Sequence, residues 1–319
     1  MDSKTLKYLI TDKIHPSARP LLEALDIEVD WFPDITNEEV AKIIHQYDGI
    51  IISTKTIINK SLIDKATKLK VVGRVGSGMD HIDQVYCKSN GIECFSSPEG
   101  NCNAVAEHAM AMLLAQSNHL IRANYEVKNG IWKRFENTGF ELEGKTIGII
   151  GYGHTGSAFA RKLSGFEAEV LVYDKYKRGF GNESIHEVDF ETIVKKADVI
   201  SFHIPYNKET HHWINREFVE NCAKQPIIIN TSRGAIANTE DLLWALQSKK
   251  LRGLCLDVFE DEPLNSNNVN PLELYQKIMA FDNVIVTPHI AGWTDEAKQK
   301  LVSILVKKIE EKVIKQGKR

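Results

Sequence analysis

Short apolar runs alternate with helix-spaced apolar residues from the start of the chain. Residues 6–10, 27–32, 49–53 and 69–75 read as buried strands, and residues 16–25, 36–47 and 61–66 as helices, the first opened by Pro16. That alternation predicts a parallel sheet with helices on both faces, complete as a small domain by about residue 100. Thr36 and Glu39 stand at capping-box spacing. A longer helical pattern follows over 103–129, with Val105, Ala109, Met112, Leu113 and Leu120 on one stripe and Gly130 as its stop, and is expected to cross between domains. The first rhythm then resumes with a strand at 146–150, a helix carrying Ala158, Phe159 and Leu163, and a strand closing at Asp174. Helix 190–196, strands 199–204 and 227–230, helix 241–247 and strands 253–259 and 284–287 complete a second sheet of about six strands. Thr239 is expected to cap its helix, with Glu240 and Asp241 in the first turn. Residues 265–270 read as a polar loop, and 294–315 as a closing amphipathic helix with a basic tail.

The second rhythm carries the strongest local signal. Strand 146–150 leads into Gly151-Tyr152-Gly153-His154-Thr155-Gly156, a G-x-G-x-x-G turn that opens a helix. The first glycine permits a tight turn, the second lets backbone N–H groups approach a pyrophosphate, and the third lets helix pack on strand. The helix start offers unpaired N–H donors and the positive end of its dipole. Asp174 closes the next strand eighteen residues after Gly156, where a carboxylate can accept from both hydroxyls of an adenosine ribose and repel a 2′-phosphate. This favours NAD over NADP. Lys175, Lys177 and Arg178 pull the other way.

Length adds that a chain of 319 residues accommodates about two domains. A net charge of −3 gives no general reason to bind nucleic acid or an anionic membrane surface, and no apolar run approaches the ~18 residues of a membrane span. The N-terminus lacks the apolar core of a signal peptide, so a cytoplasmic location is expected. Five cysteines, with no C-x-x-C pair, fit reduced thiols rather than a zinc site or disulfide frame. His108 and His119 lie eleven residues apart on one helical pattern, but surface or interface histidines are commoner than ligands, and no metal is assigned.

Three polar residues sit at strand ends, on the side where open α/β sheets bind ligands: Arg233, Glu262 and His289. A guanidinium can hold a carboxylate bidentately, an imidazole can exchange a proton near neutrality, and a carboxylate beside an imidazole favours its charged form. These are the groups that hydride exchange with a 2-oxo acid requires. Local sequence does not say which acid between Asp257 and Glu262 meets His289. In the first domain, the turn Gly73-Arg74-Val75-Gly76-Ser77-Gly78 reads equally as an anion-binding backbone nest or a tight corner. Arg74 beside it is placed for an anion, and Trp132-Lys133-Arg134-Phe135 is a basic, aromatic connector.

Taken together, Gly-Tyr-Gly-His-Thr-Gly, Asn-Thr-Ser-Arg-Gly, Leu-Asp-Val-Phe-Glu-Asp-Glu-Pro and Thr-Pro-His-Ile-Ala-Gly resemble the D-isomer-specific 2-hydroxyacid dehydrogenases. Val-Gly-Arg-Val-Gly-Ser-Gly-Met-Asp and Asn-Ala-Val-Ala-Glu-His resemble their 3-phosphoglycerate dehydrogenase branch. The resemblance implies two doubly wound α/β domains, with a Rossmann NAD domain (103–290, including the interdomain helix 103–129) inserted in a flavodoxin-like substrate domain (1–102 and 291–319). It implies Arg233 as substrate clamp, Glu262 as partner acid and His289 as acid/base. Ser97, Gly151, Gly153, His154, Thr155, Gly156, Asp174, Ile204, Thr231, Ser232, Asp257 and Gly292 would hold NAD, with Asp257 near the nicotinamide amide. Arg74, Ser77, Gly78 and Arg134 would meet the substrate. A homodimer through the nucleotide domains is implied, with 3-phosphoglycerate oxidation for serine biosynthesis as the expected reaction. Alternatives are a glyoxylate or hydroxypyruvate reductase, formate oxidation, and an NAD-sensing corepressor-like module. His154 departs from the Arg often found after the second glycine. The chain ends at Arg319 without added regulatory domains, so serine feedback through one is not expected.

Overall fold

The computed structural model describes residues 5–262 and 269–314. The chain divides into two units, Met1–Cys102 with Trp293–Arg319, and Asn103–Gly292. In the first unit the apolar runs form β1 (Leu6–Ile10), β2 (Ile27–Trp31), β3 (Gly49–Ile52), β4 (Val71–Arg74) and β5 (Glu93–Ser96), all parallel in the order β2-β1-β3-β4-β5. Its helices are α1 (Ala18–Glu23), α2 (Asn37–Ile43), α3 (Lys60–Ile63) and α4 (Gln84–Ser89). Alternate strand residues feed two cores, as a pleat covered on both faces requires. Leu9, Ile50, Ile52 and Val72 pack on one side with Val40, Ile44 and Leu62. Tyr8, Ile10, Ile51 and Val71 pack on the other with Leu301, Val302, Leu305, Val306 and Ile309 of the C-terminal helix Asp295–Ile309. Burying each Leu or Ile is worth about 1.5–3 kcal/mol, which ties the end of the chain into its first domain.

The order of strands in this sheet reverses between β1 and β3, the place where such sheets take ligands. Asp12, only 5% exposed, lies there and accepts from Ser53 N–H at 2.8 Å and Lys55 N–H at 3.3 Å.

The second unit opens with α5 (Cys102–Ser117) and α6 (Leu120–Lys128). There follow β6 (Thr146–Ile150), α7 (His154–Lys162), β7 (Glu169–Tyr173), β8 (His186–Glu187), α8 (Phe190–Lys196), β9 (Val199–Phe202), α9 (Arg216–Asn221), β10 (Ile227–Asn230), α10 (Thr239–Gln247), β11 (Gly253–Leu256), α11 (Val269–Met279) and β12 (Val284–Val286). The sheet has seven parallel strands in the order β12-β11-β10-β9-β6-β7-β8, the doubly wound dinucleotide arrangement extended by one edge strand. It exceeds the expected six because β8 has two residues and no apolar period.

Three local expectations change. The single helix expected over 103–129 is two helices: Ser117 O accepts from Phe140 N–H at 3.0 Å and His119 turns left-handed at φ 51°, so the helical ladder stops. Leu120, expected on the buried stripe, is therefore 60% exposed. Asn238, not Thr239, caps α10, its side chain accepting from Asp241 N–H at 3.0 Å. The polar loop expected at 265–270 lies outside the described residues up to 268, and α11 begins at Val269; Pro263 and Lys315 also lie outside.

Candidate active site

The crossing in the second sheet lies between β6 and β9, and the glycine turn fills it. Gly151 has φ 95°, and a Cβ there would lie 2.4 Å from the His203 carbonyl oxygen at the end of β9. A Cβ at Gly156 would lie 1.9 Å from Gly151 O, so α7 starts directly on the turn. Gly153 differs: a Cβ there would meet nothing within 4 Å. Gly153 is also the N-cap of α7 and supplies no capping side chain, so the N–H groups of the first turn, at His154 and Thr155, remain for an anion.

Asp174 stands just past β7. Its Oδ2 accepts from Tyr152 N–H at 2.7 Å, and its Oδ1 from Tyr176 and Lys177 N–H at 2.8 and 2.9 Å. Burial pushes this carboxyl up, but the three backbone bonds and the Lys177 charge outweigh it and hold it below the usual carboxylate range. Asp174 thus ties the glycine turn to the second strand. The basic residues after it are engaged too: Lys177 Nζ donates to Tyr152 O at 2.7 Å, Arg178 to Asp174 O, and Lys175 to Glu209. Ile204 packs against the glycine turn, with Cγ2 2.8 Å from a Cβ on Gly151. Thr231 Oγ1, beyond β10, is buried and has no hydrogen-bond partner among the described residues. Ser232 donates to Phe202 O at 2.6 Å. Gly292 closes this unit and is half-buried. The glycine cradle, open N–H groups, ribose-level carboxylate and orphaned hydroxyl together fit NAD. Ser97 belongs to the first unit and is fully buried, its N–H bonded to Gly76 O at 3.0 Å and its hydroxyl without a partner among the described residues.

The acid beside His289 is Glu262. His289 Nδ1 and Glu262 Oε2 are 2.6 Å apart, and Glu262 Oε1 accepts from Phe259 N–H at 2.7 Å. An ionised carboxylate only accepts, so Nδ1 donates and Nε2 is left to exchange a proton. His289 has φ 56°, a left-handed backbone that costs a non-glycine residue about 1–3 kcal/mol. Asp257 holds it there. Its carboxylate, 1% exposed, accepts from Thr287 Oγ1 at 2.6 Å, Ile290 N–H at 2.9 Å and Ala291 N–H at 2.8 Å, gripping the loop on both sides of the histidine. Thr287 Oγ1 also meets His108 Nε2 at 2.9 Å. Arg233 follows β10 and donates to Ser232 O at 2.7 Å. The adjoining Gly234 sits so tightly on Phe259 that a Cβ would lie 1.9 Å from its carbonyl carbon, so the segments bearing Arg233 and Glu262 touch.

The first-unit candidates behave unequally. Ser77 is exposed and donates to Asn101 Oδ1 at 2.7 Å, with Gly78 half-buried beside it. Arg74, expected to project toward an anion, is instead 9% exposed, and its guanidinium lies 2.0 Å from where a Cβ on Gly76 would be. It donates to Val75 O. In the second unit Arg134 is exposed, whereas Lys133 pairs with Glu126 at 3.4 Å.

Sequence reasoning missed a second imidazole–carboxylate pair, His212 with Glu260, because only tertiary pairing brings them together. It left His108 without a role, which the contact to Thr287 supplies. Among the described residues no group of three or more His, Cys, Asp or Glu could hold a metal ion, and no helix is long and apolar enough to cross a membrane.

This geometry has relatives. The family described as D-isomer specific 2-hydroxyacid dehydrogenase, NAD binding domain, matches residues 110–291. A D-3-phosphoglycerate dehydrogenase of Methanocaldococcus jannaschii is 33% identical over 310 residues, covering 96% of this chain and 57% of its own length. The chain thus spans about half the length of that relative. A hydroxypyruvate reductase of Thermotoga maritima is 34% identical, covering 94% of this chain and 96% of its own. The crystal structure of D-lactate dehydrogenase from Aquifex aeolicus, complexed with NAD and lactic acid, superposes with a TM-score of 0.83 at 31% identity, covering 97% of this chain and 96% of that one.

Proposed function

Because the chain belongs to the D-isomer specific 2-hydroxyacid dehydrogenases, a family of NAD-linked enzymes, we propose that it interconverts a small D-2-hydroxy acid and its 2-oxo acid. The observation that carries this reading is the bond between His289 Nδ1 and Glu262 at 2.6 Å, which leaves Nε2 to act. Arg233 clamps the substrate carboxylate in a two-point fork. On reduction His289 Nε2 gives a proton to the carbonyl oxygen; on oxidation it takes one from the hydroxyl. Glu262 holds the ring in the required tautomer. NAD, when bound, supplies or accepts the hydride. Gly151, Gly153, His154, Thr155 and Gly156 would hold its pyrophosphate, Asp174 its ribose, and Thr231 a further polar group. We assign Ser77 and Gly78 to the substrate carboxylate as well.

Within that class we propose a small unphosphorylated 2-oxo acid, hydroxypyruvate or glyoxylate, over 3-phosphoglycerate. A phosphate needs cations beyond Arg233. Of the three the sequence offers, Arg74 is buried against its own turn and Lys133 is paired with Glu126, which leaves Arg134. Steady-state kinetics with NADH decide: kcat/KM for hydroxypyruvate should equal or exceed that for phosphohydroxypyruvate. A tenfold preference for the phosphate ester, lost in Arg134→Ala, restores the phosphoglycerate reading and with it serine biosynthesis. No turnover of any 2-oxo acid, with NAD still bound, favours an NAD-sensing module.

The same reading extends to assembly and place. Leu120, Ile121, Tyr125 and Val127 on α6, with Ile131, Trp132 and Phe135 beyond it, are exposed apolar residues on the nucleotide unit. A patch of this kind fits a second copy of the chain. Light scattering should give a dimer that Tyr125→Glu with Trp132→Glu dissociates. The five cysteines are all free thiols, in keeping with the cytoplasm.

A further inference from the structure

Two residues before Glu262, the chain makes a closed polar ring that the proposed reaction does not use. Glu260 Oε2 accepts from Thr239 Oγ1 at 2.7 Å and from Thr239 N–H at 3.3 Å. Glu260 N–H donates to Tyr275 Oη at 2.7 Å, and Tyr275 Oη lies 2.8 Å from Thr239 Oγ1. Thr239 spends its one hydroxyl proton on Glu260, so Tyr275 must donate to Thr239. Every polar atom of the ring is satisfied, and Thr239 and Tyr275 are buried. Glu260 Oε1 meets His212 Nε2 on the remaining side. His212 is itself fixed: its N–H donates to Ala235 O at 2.9 Å, and its Nδ1 lies 3.3 Å from Asn238 Nδ2. Asn238 Oδ1 is committed to capping α10, which turns its amide nitrogen toward His212. Nδ1 therefore accepts, and the proton rests on Nε2, facing the carboxylate.

The ring bridges two segments. Residues 233–239 carry Arg233 at one end and Thr239 at the other; residues 259–262 carry Glu260 and Glu262. Gly234 lies on the Phe259 peptide, and Phe259 N–H holds Glu262 Oε1. Burial pushes the Glu260 carboxyl up, but the Thr239 hydroxyl and His212 outweigh it and hold it below the usual range, so the ring stays charged near neutrality.

We infer that Glu260, Thr239, Tyr275 and His212 are positioning residues, which lock the turn presenting Glu262 onto the segment presenting Arg233 and so fix the spacing of the substrate clamp and the acid/base pair. This rests on the proposed reaction. Misplacing catalytic groups by about 1 Å can cost on the order of 100-fold in rate. Loss of a ring that only stabilised the fold would lower melting temperature and leave kcat unchanged.

The test uses a matched pair at Thr239. Thr239→Ser keeps the hydroxyl and should keep kcat within twofold. Thr239→Val removes it at nearly constant volume and should lower kcat for hydroxypyruvate about 10- to 100-fold, with the Kd for NAD unchanged. Tyr275→Phe should repeat the Thr239→Val result. Equal kcat for the Ser and Val variants, or a loss confined to melting temperature, overturns the inference. If Thr239→Val does not fold, Tyr275→Phe and Glu260→Gln are read the same way. A readout without turnover separates the two claims: the ring 15N signals of His289 in the substrate-free protein should move in Thr239→Val and stay in Thr239→Ser. If no 2-oxo acid is reduced, the proposed reaction fails while those signals still judge the ring; unmoved signals overturn the ring whatever the activity.

Discussion

Replacing Glu262 with Gln probes the acid/base pair with little change of shape. In the native pair Oε1 accepts from Phe259 N–H and Oε2 accepts from His289 Nδ1. The amide must keep its oxygen on Phe259, because an N–H cannot donate to an N–H. Its nitrogen then faces Nδ1, which has to accept, and the ring proton moves to Nε2. In that tautomer His289 cannot take a proton from a hydroxyl. Giving the Nε2 proton from that neutral ring would leave an imidazolate, so donation fails as well. Both directions should fail together. General acid/base catalysis is worth about 10²- to 10⁴-fold, so kcat should fall by at least 100-fold, or about 2.7 kcal/mol of barrier. Stability should change little, because the pair is partly exposed, with side chains at 47% and 29%, and such pairs contribute about 0–1 kcal/mol. The assay is stopped-flow hydride transfer in both directions, with NAD affinity measured separately by calorimetry. A kcat within fivefold of the native value would refute the assignment.

Other consequences follow from the nucleotide turn and the strand ends. Asp174→Ala should weaken NAD far more than NADP; equal losses would leave the carboxylate with only its structural bonds. The Asp174 carboxyl is held below its unfolded value, so its contribution to stability is present above about pH 4, the unfolded carboxylate range, and is lost as pH falls through the lower folded value. Acid unfolding of Asp174→Asn should lack that component. Thr231→Val should leave the ligand-free protein as stable or slightly more so, since the buried hydroxyl has no partner among the described residues, and should weaken NAD about three- to tenfold. An unchanged Kd would remove Thr231 from the cofactor site.

Much of this was legible because it is local. The apolar strands declared themselves by β-branched runs, and the glycine turn by a spacing that leaves few alternatives once strand, helix and acid stand in register. Arg233 and His289 stood out as candidates because they follow strand ends, where parallel sheets put their crevices. What the sequence withheld depends on partners far along the chain. Glu260, Asp261 and Glu262 are indistinguishable acids until Tyr275 and Thr239 claim one and His289 another. Thr239 looked like a helix cap because nothing nearby shows that Glu260, twenty-one residues on, takes its hydroxyl. Arg74 looked like a free cation because burial against Gly76 is a property of the turn's shape. The helix break at His119 is set by Phe140, which lies beyond any periodicity window.

Asp12 sets a stoichiometry. Both sheets are wound so that a crevice opens where strand order reverses, and on architecture alone each could take up a phosphate-bearing ligand. In the first sheet the Asp12 carboxylate, from the same chain, occupies the donors of Ser53 and Lys55. A covalently attached competitor acts at a high effective concentration that free nucleotide has to exceed. A titration with NAD should therefore reach saturation at one equivalent per chain.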